Sequence, residues 1–87
     1  MILTRSRRFK KKVKKLPQPV KRALAMRLLV FIENPYDVRL NNHSLSGALR
    51  QYRSINITGD YRLIYENYER NAVRLIDIDT HSNLYGK

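Results

Sequence analysis

The C-terminal half of the chain contains three strand-like runs with very short connections, and this arrangement restricts the fold more than any other feature. The runs are Arg50 to Thr58, Tyr61 to Asn67 and Ala72 to Thr80. Gly59-Asp60 separates the first two runs, and a polar turn at residues 69–71 separates the last two. Connections this short join neighbouring antiparallel strands, so the sequence predicts an antiparallel meander.

Two of these runs have consecutive apolar residues at their centres, at Leu63-Ile64 and Leu75-Ile76. A strand with one face in water alternates apolar and polar side chains, so this pattern indicates a sheet with helices over one face. A short apolar segment from Met1 to Thr4 is expected to add an edge strand.

Two helices are predicted before the meander. The first begins with Ser6 as its N-cap and ends at Pro17; apolar residues recur every three or four positions, and its other sides are basic. The second has Pro19 in its first turn and ends at Asn34-Pro35. Its predicted apolar stripe consists of Val20, Leu24, Leu28 and Phe31, widened by Ala25, Leu29 and Ile32. The short connection makes the pair an antiparallel hairpin.

Residues 36–47 show no hydrophobic period and are predicted to form a loop. The predicted order is therefore β-α-α-β-β-β. This is an α+β fold in which a short N-terminal strand and an antiparallel helical hairpin pack on an antiparallel sheet. The prediction treats residues 1–87 as a single domain, because the sequence contains no linker, repeat or low-complexity segment.

Charge is the strongest feature of the composition, with 18 Lys and Arg against 7 Asp and Glu and a net charge of +11. Such a charge favours polyanions, either nucleic acid or an acidic protein, without distinguishing between them. The chain has no cysteine, which excludes disulfides and thiolate chemistry. Its longest apolar run, Leu28 to Ile32, is far shorter than the roughly 20 residues that span a bilayer. We therefore expect a cytoplasmic protein.

A family resemblance is carried by three strings between His43 and Tyr85, namely HSLSG, YRSINITGDYRLIYE and LIDIDTHSNLY. They contain a His-x-Leu-x-Gly entry, a Gly-Asp-Tyr-Arg-Leu-Ile-Tyr hairpin and a terminal Thr-His-x-x-x-Tyr. In this order and spacing they resemble the RelE/ParE toxin superfamily, and within it the YafQ-like and RelE-like messenger RNA interferases of type II toxin–antitoxin systems. The helical hairpin at the front also matches, so the resemblance covers essentially the whole chain.

The resemblance implies a ribosome-associated endoribonuclease toxin that cleaves mRNA and is held in check by a small acidic antitoxin. In such enzymes the ribose 2′-hydroxyl attacks the neighbouring phosphate, which leaves a 2′,3′-cyclic phosphate and a 5′-hydroxyl. This reaction needs a base, an acid and cations for the phosphorane charge, and no metal or other cofactor. His43, Asp79 and His81 do not match a metal-ligand spacing either, so no metal site is expected.

Five catalytic candidates match the family pattern: His81, Arg62, Tyr85, Asp60 and His43. His81 is the strongest acid–base candidate, because an imidazole titrates near neutral pH without a large pKa shift. Tyr85 is expected to stack on a base or assist proton transfer, and the planar guanidinium of Arg62 suits a phosphate. Asp60 and His43 match positions of YafQ-like enzymes, although Gly-Asp is also what a tight turn requires. Which group is the base and which the acid stays open.

Further RNA contacts are expected from Arg53 in the first meander strand and from Lys10, Lys11 and Lys14 on the first helix. Contacts of lysine with phosphate give affinity but no sequence information. The alternative for this helix is that it docks the antitoxin, since an acidic inhibitor would seek the same positive charge.

Two positions depart from the family pattern. Asn56 stands where YafQ-like enzymes carry a functional histidine, and an amide does not exchange a proton near neutral pH. Asp79 stands where the family often has glycine, so its carboxylate either tunes His81 or is solvated.

Two other classes of protein remain open at this point. A non-catalytic ParE-like toxin shares the fold and acts by binding DNA gyrase, but that branch generally lacks the combination of Arg62, His81 and Tyr85. A simple RNA-binding module would use the basic helix and leave His81 and Tyr85 unexplained.

Overall fold

The computed structural model describes residues 1–85, which form a five-stranded sheet with two helices over one face and a short helix after the last strand. The elements in chain order are β1 (Ile2–Arg5), α1 (Arg7–Lys14), α2 (Gln18–Glu33), β2 (His43–Ser44), β3 (Tyr52–Asn56), β4 (Tyr61–Glu69), β5 (Ala72–Thr80) and α3 (His81–Tyr85). The predicted α+β class and element order are confirmed. Strand β2 and helix α3 are additions to the predicted set.

The strand order in the sheet is β1-β5-β4-β3-β2. Strands β3, β4 and β5 form the predicted antiparallel meander, in which Arg62 lies opposite Asn56 on one side and Asp79 on the other. Strand β1 is an edge strand as predicted, but it runs parallel to β5 and pairs only with residues 72–75. Helix α1 packs against β5 as well, and the Ser6 hydroxyl donates to the Ile76 carbonyl at 2.7 Å.

The helical hairpin begins and ends as the sequence predicts. The Ser6 side chain accepts a hydrogen bond from the Phe9 N–H at 3.0 Å, so it caps α1. Helix α2 ends at Asn34, whose N–H still donates to the Val30 carbonyl. The region predicted as loop, residues 36–47, contains a short 3-10 turn at residues 38–40 and the strand β2, and a second 3-10 turn at residues 47–49 begins at its last residue. The first of them carries Leu40 into the core.

The core lies between the hairpin and one face of the sheet. Its buried side chains include Phe9, Leu24, Phe31, Leu40, Ile55, Ile57, Leu63, Tyr65, Val73, Leu75 and Ile78. The rings of Phe31 and Tyr65 meet edge to face with their centroids 4.9 Å apart. The Tyr65 hydroxyl accepts a hydrogen bond from Asn42 Nδ2 at 2.7 Å, so the one polar atom of this aromatic pair is satisfied.

The predicted apolar stripe of α2 is only partly correct. Val20, Leu24 and Phe31 are buried and Leu28 packs against the core, as expected. The residues predicted to widen the stripe are exposed: Ala25 lies on the surface, Leu29 keeps 65% and Ile32 46% of its accessible area. The prediction was wrong here because α2 contacts the sheet with one side, and residues 1–85 provide no second layer outside it. Within this part of the chain, no helix is both long and apolar enough to cross a membrane.

Candidate active site

Three of the predicted catalytic residues line one shallow cavity on the face of the sheet that the hairpin leaves open. His43 opens β2 and pairs with Ser54 of β3, while His81 opens α3 directly after β5. The cavity measures about 300 Å³ and is lined by His43, Ser44, Leu45, Ser46, His81 and Tyr85. The structure therefore brings together two imidazoles and a phenol that are far apart in the sequence.

Tyr85 is fixed at two points. It follows His81 by four residues in α3, so one helical turn brings the two rings together, with their centroids 4.6 Å apart and their planes tilted by 60°. Its hydroxyl donates to Ser54 Oγ at 3.0 Å, and Ser54 is fully buried in β3. Tyr85 nevertheless keeps 41% of its accessible area. Its ring is held in place and still accessible to a ligand.

Helix α3 is anchored to the meander by its first residues. The His81 N–H donates to the Asp60 carbonyl at 2.8 Å, which links α3 to the β3–β4 turn. The Asn83 side chain donates to the Asp79 carboxylate at 2.9 Å, and the Asn83 N–H donates to Thr80 Oγ1 at 3.2 Å. A five-residue helix has little stability of its own, so these contacts determine where His81 and Tyr85 lie.

The hydrogen bond of His43 indicates which tautomer is present. Its Nδ1 lies 2.9 Å from the carbonyl oxygen of Asn41. A carbonyl only accepts hydrogen bonds, so the proton of the neutral ring belongs on Nδ1. The lone pair of the neutral imidazole is then on Nε2, the nitrogen that a general base would use.

Arg62 does not line the cavity. Its Nη1 donates to the carbonyls of Thr58, Gly59 and Tyr61 at 3.0, 3.2 and 3.1 Å. The guanidinium therefore closes the β3–β4 turn, the same turn whose Asp60 carbonyl holds His81. Within residues 1–85, neither Nε nor Nη2 of Arg62 makes a hydrogen bond, so these groups still have protons to donate. Asp60 itself is exposed, and its N–H donates to Thr58 Oγ1.

Arg53 is not part of this arrangement. It alternates with Ser54 along β3 and so points to the opposite face of the sheet from Tyr85. Its Nε donates to Asn42 Oδ1 at 2.8 Å, and its guanidinium lies 5.5 Å from the centre of the Tyr36 ring. The predicted RNA contact of Arg53 would have to be made away from the two histidines.

The predicted lysines also lie away from the cavity. Lys10 and Lys14 flank a groove between α1 and α2, and Lys11 is exposed. The basic residues of α1 that reach the open face of the sheet are instead Arg8 and Lys12, which sequence reasoning did not single out.

Arg8 and Lys12 are paired with two carboxylates of β5. Arg8 Nε lies 3.2 Å from Asp77, and Lys12 Nζ lies 2.8 Å from Asp77 and 3.0 Å from Asp79. Burial lowers the pKa of Lys12, but its hydrogen bonds to the two carboxylates outweigh this and raise the pKa above its ordinary value. Burial raises the pKa of Asp79, but hydrogen bonds from Asn83, Lys12 and the Thr80 N–H outweigh this and hold it below its usual value. Asp79 thus joins α1 to α3.

A second, mainly apolar cavity of about 250 Å³ adjoins the first. It is lined by Arg8, Leu45, Leu49, Tyr52, Ile64, Ile76, Asp77, Leu84 and Tyr85. Leu45 and Tyr85 border both cavities. Ile76 and Asp77 both line it because the pairing of β4 with β5 shifts by one residue there, with Ile64 opposite Asp77 and Tyr65 opposite Leu75.

Several site residues were missed by sequence reasoning. Ser54 holds Tyr85 and was not singled out, although the alternation of side chains along a strand places it on the same side of β3 as Tyr52 and Asn56. Asn56, at the position where YafQ-like enzymes have a histidine, lies opposite Arg62, and its Oδ1 is buried without a hydrogen-bond partner among the described residues. Within residues 1–85, no three histidine or acidic side chains are grouped as metal ligands would be.

Comparison with known proteins identifies the family. The model of the bacterial YafQ toxin of type II toxin–antitoxin systems matches residues 1–86. The chain belongs to this family. The resemblance to the RelE/ParE superfamily and its YafQ-like members is therefore confirmed. No curated protein sequence matches the chain.

Solved structures agree with this assignment. YafQ from E. coli strain BL21(DE3) has a TM-score of 0.80 and 24% identity, with 97% of each chain covered. The YafQ family toxin in the E. coli DinJ-YafQ complex has a TM-score of 0.71 and 26% identity, again with 97% of each chain covered. A YoeB/ParE toxin from Agrobacterium tumefaciens has a TM-score of 0.78 at only 15% identity, covering 93% of this chain and 99% of that one. This last likeness reflects the shared fold.

Proposed function

We propose that this YafQ-family toxin is a ribosome-associated endoribonuclease that cleaves mRNA by metal-independent transesterification and is neutralised by a small acidic antitoxin. The observation that carries the proposal is the cavity lined by His43, His81 and Tyr85. Attack by a ribose 2′-hydroxyl on the adjacent phosphate needs one group to accept a proton and one to donate a proton, and the imidazoles of His43 and His81 can fill these two roles.

His43 is proposed as the base and His81 as the acid. Because Nδ1 of neutral His43 donates to the Asn41 carbonyl, its Nε2 has the lone pair that accepts the 2′-hydroxyl proton. Protonated His81 then donates a proton to the departing 5′-oxygen as the P–O bond breaks. The nucleophile belongs to the RNA, so the step balances without a metal-bound hydroxide. The products are a 2′,3′-cyclic phosphate and a 5′-hydroxyl.

Tyr85 and Arg62 are proposed to position the RNA. The accessible ring of Tyr85 offers a stacking surface for a base next to the scissile phosphate, an interaction of roughly 1–3 kcal/mol. Arg62 has N–H groups that the β3–β4 turn does not use, and these suit the negative charge of the phosphorane. Asp60 contributes by holding the first residue of α3 through its carbonyl oxygen.

An antitoxin partner is supported by the family and by charge. One relative was solved as the E. coli DinJ-YafQ toxin-antitoxin complex, at 26% identity. The net charge of +11 on this chain is complementary to an acidic partner. The same charge suits the ribosome and its mRNA, so inhibitor and substrate compete for a common type of surface.

The decisive experiment uses translating ribosomes programmed with an mRNA that carries a single 2′-deoxynucleotide at a mapped cleavage site. We expect cleavage to disappear at that site alone, because the nucleophile has been removed. An mRNA with the deoxynucleotide three positions away is the control and should be cut normally. Products should carry cyclic or 3′-phosphates. Cleavage that ignores the deoxynucleotide and leaves 5′-phosphates would refute the mechanism, and inhibition of gyrase supercoiling without RNA cleavage would favour the ParE-like alternative.

A further inference from the structure

The mainly apolar cavity of about 250 Å³ beside the candidate active site, hereafter the Arg8 cavity, has no part in the proposed proton transfers. Ile64 lines it as a buried side chain and Ile76 as a half-buried one. Leu49 also lines it and keeps 52% of its accessible area, so apolar surface here is open to solvent. A concave apolar surface that adjoins a candidate site of chemistry is typical of a ligand subsite.

Arg8 gives this cavity a set of hydrogen-bond donors. Its Nε lies 3.2 Å from the Asp77 carboxylate, which holds the guanidinium against β5, and its side chain is 69% exposed. Within residues 1–85, Nη1 and Nη2 of Arg8 make no hydrogen bond. Because the guanidinium is planar, these nitrogens offer donors in one plane to a ligand with two neighbouring acceptors.

The charges around the Arg8 cavity balance one another. Arg8 is paired with Asp77, and Lys12 Nζ lies 2.8 Å from Asp77 and 3.0 Å from Asp79. Two cations thus face two carboxylates, in a chain whose net charge is +11. A phosphate gains little from such a pair of ion pairs, since each carboxylate offsets the attraction of a cation. The cavity therefore suits an uncharged part of a ligand.

We propose that the Arg8 cavity binds a guanine base next to the scissile phosphate, and that Arg8 donates hydrogen bonds to O6 and N7 of this base. Leu45 and Tyr85 border both this cavity and the one with the two histidines. A nucleotide whose base contacts Tyr85 from the apolar side can therefore have its phosphate beside His43 and His81. Because the base belongs to the RNA that is cut, this assignment rests on the proposed function.

The other bases fit the donors of Arg8 less well than guanine does. Every base has a flat face that can stack on Tyr85 and cover apolar side chains, so stacking alone does not discriminate. Guanine has two acceptors, O6 and N7, on one edge, whereas adenine replaces O6 with an amino group that donates. Pyrimidines have a single ring and no N7. Arg8 therefore supplies the discrimination, and the apolar surface supplies affinity for any base.

A binding experiment tests the proposal with the purified chain and short fluorescent 2′-deoxy oligonucleotides of uridine. Without the 2′-hydroxyl nothing is cut while affinity is measured by fluorescence anisotropy. The central nucleoside is guanosine, inosine, 7-deazaguanosine or adenosine. We expect guanosine and inosine, which both have O6 and N7, to bind about tenfold more tightly than adenosine. The 7-deaza compound has no N7 and should lose most of this advantage.

Two results of this experiment would overturn the proposal. Equal affinities for the four oligonucleotides would show that the chain does not discriminate between the bases. Inosine that binds as weakly as adenosine would show that the 2-amino group of guanine is recognised, because inosine lacks only that group, and Arg8 would not be the residue that recognises the base.

Two matched variants locate the preference at Arg8. Arg8→Lys keeps the charge but replaces the planar set of donors with a single ammonium, so the preference for guanosine over adenosine should fall below about twofold. Arg7→Lys makes the same change at the neighbouring exposed residue, which does not line the cavity, and should leave the preference unchanged. Circular dichroism checks that both variants are folded. A preference that survives Arg8→Lys would overturn the proposal.

Cleavage on translating ribosomes separates this proposal from the proposed function. The mRNAs differ only in whether guanosine or adenosine flanks the mapped cleavage site, and the chain should cut the guanosine mRNA faster unless Arg8 is replaced by lysine. A chain that prefers guanosine in the binding assay but cuts no RNA would refute the proposed function and leave the base subsite intact. A chain that cuts both mRNAs at the same rate would overturn the base subsite and leave the proposed function intact.

Discussion

The two faces of the sheet differ in what covers them and in the kind of residue they carry. The face under α1 and α2 is closed, and side chains such as Ile55 and Leu63 are fully buried there. The opposite face carries polar residues, including Ser54 and Arg62, and α3 covers part of it. The comparison indicates that one face supplies stability, while the other carries the residues proposed to cleave RNA. Substitutions on the two faces should therefore affect different measurements.

The largest effect on stability is expected from Phe31→Ala on the covered face. Phe31 is fully buried against Tyr65, so truncation leaves a cavity and should lower the free energy of unfolding by about 3–5 kcal/mol. Leu29→Ala, two positions earlier on the exposed side of α2, is the control and should change it by less than about 0.5 kcal/mol. Urea unfolding measures both. Similar losses for the two variants would contradict the assignment of stability to the covered face.

His81→Ala on the open face is expected to lower the cleavage rate and to leave the stability nearly unchanged. His81 is exposed, so the free energy of unfolding should change by no more than about 0.5 kcal/mol. The cleavage rate on translating ribosomes should fall about 10²-fold or more, as is usual when an acid–base group is removed. Ser82→Ala, the next residue on α3, should leave both quantities unchanged. A folded His81→Ala protein with the wild-type rate would remove His81 from the mechanism.

A smaller effect on the free energy of unfolding is expected at Asp79, where the two faces are joined. Asp79→Asn removes the ion pair with Lys12, which is worth less than a buried contact because the two side chains are 24% and 28% exposed. The pKa of Asp79 lies below its ordinary value of 3.8, so the ionised carboxylate stabilises the fold at neutral pH. That contribution is lost as the pH falls through the folded-state pKa. The stability difference between wild type and Asp79→Asn should therefore narrow below pH 3.8.

Asp37→Asn is the matched control for this measurement. Hydrogen bonds from Arg39 lower the pKa of Asp37 to about 2. The stability difference between wild type and Asp37→Asn should therefore persist to lower pH than the stability difference between wild type and Asp79→Asn. Urea unfolding between pH 7 and pH 2 compares the two variants. A difference for Asp79→Asn that stays constant over the whole range would contradict the prediction, because it would show that the pKa of Asp79 is the same in the folded and the unfolded protein.

Patterns within a few residues were enough to predict the helical hairpin and the antiparallel meander. The caps and prolines of the hairpin and the short turns of the meander gave the element order, because each is encoded within a few residues. Helix α3 was missed because five residues, HSNLY, are too few to show a helical period. The outer side of α2 was wrongly placed in the core, since an apolar residue on a helix shows no sign of whether a further layer will cover it.

The sequence predicted a set of candidate site residues, but not how they are arranged. The terminal Thr-His-x-x-x-Tyr pointed to His81 and Tyr85, and the structure places both on one cavity with His43. The hydrogen bonds of Arg62 to the turn carbonyls could not be predicted, because a long side chain has many rotamers and the folded backbone decides which carbonyls it reaches. The ion pairs of Lys12 join residues more than sixty positions apart, which no local pattern encodes.

Strands β1 and β5 are neighbours in the sheet although they lie at opposite ends of the described chain, and this has a consequence for the order of folding. The β4–β5 hairpin closes a loop of two residues, whereas contacts such as that of Ser6 with Ile76 close a loop of seventy. Chain entropy opposes the longer closure more strongly, so the hairpin is expected to form early and β1 to join it late. Helix α1 follows β1 directly and would reach Asp77 and Asp79 only in that late step. A newly made chain that pauses before this step would leave Arg8 and Lys12 without their carboxylate partners, so α1 would present all its positive charge to polyanions before the open face of the sheet was complete.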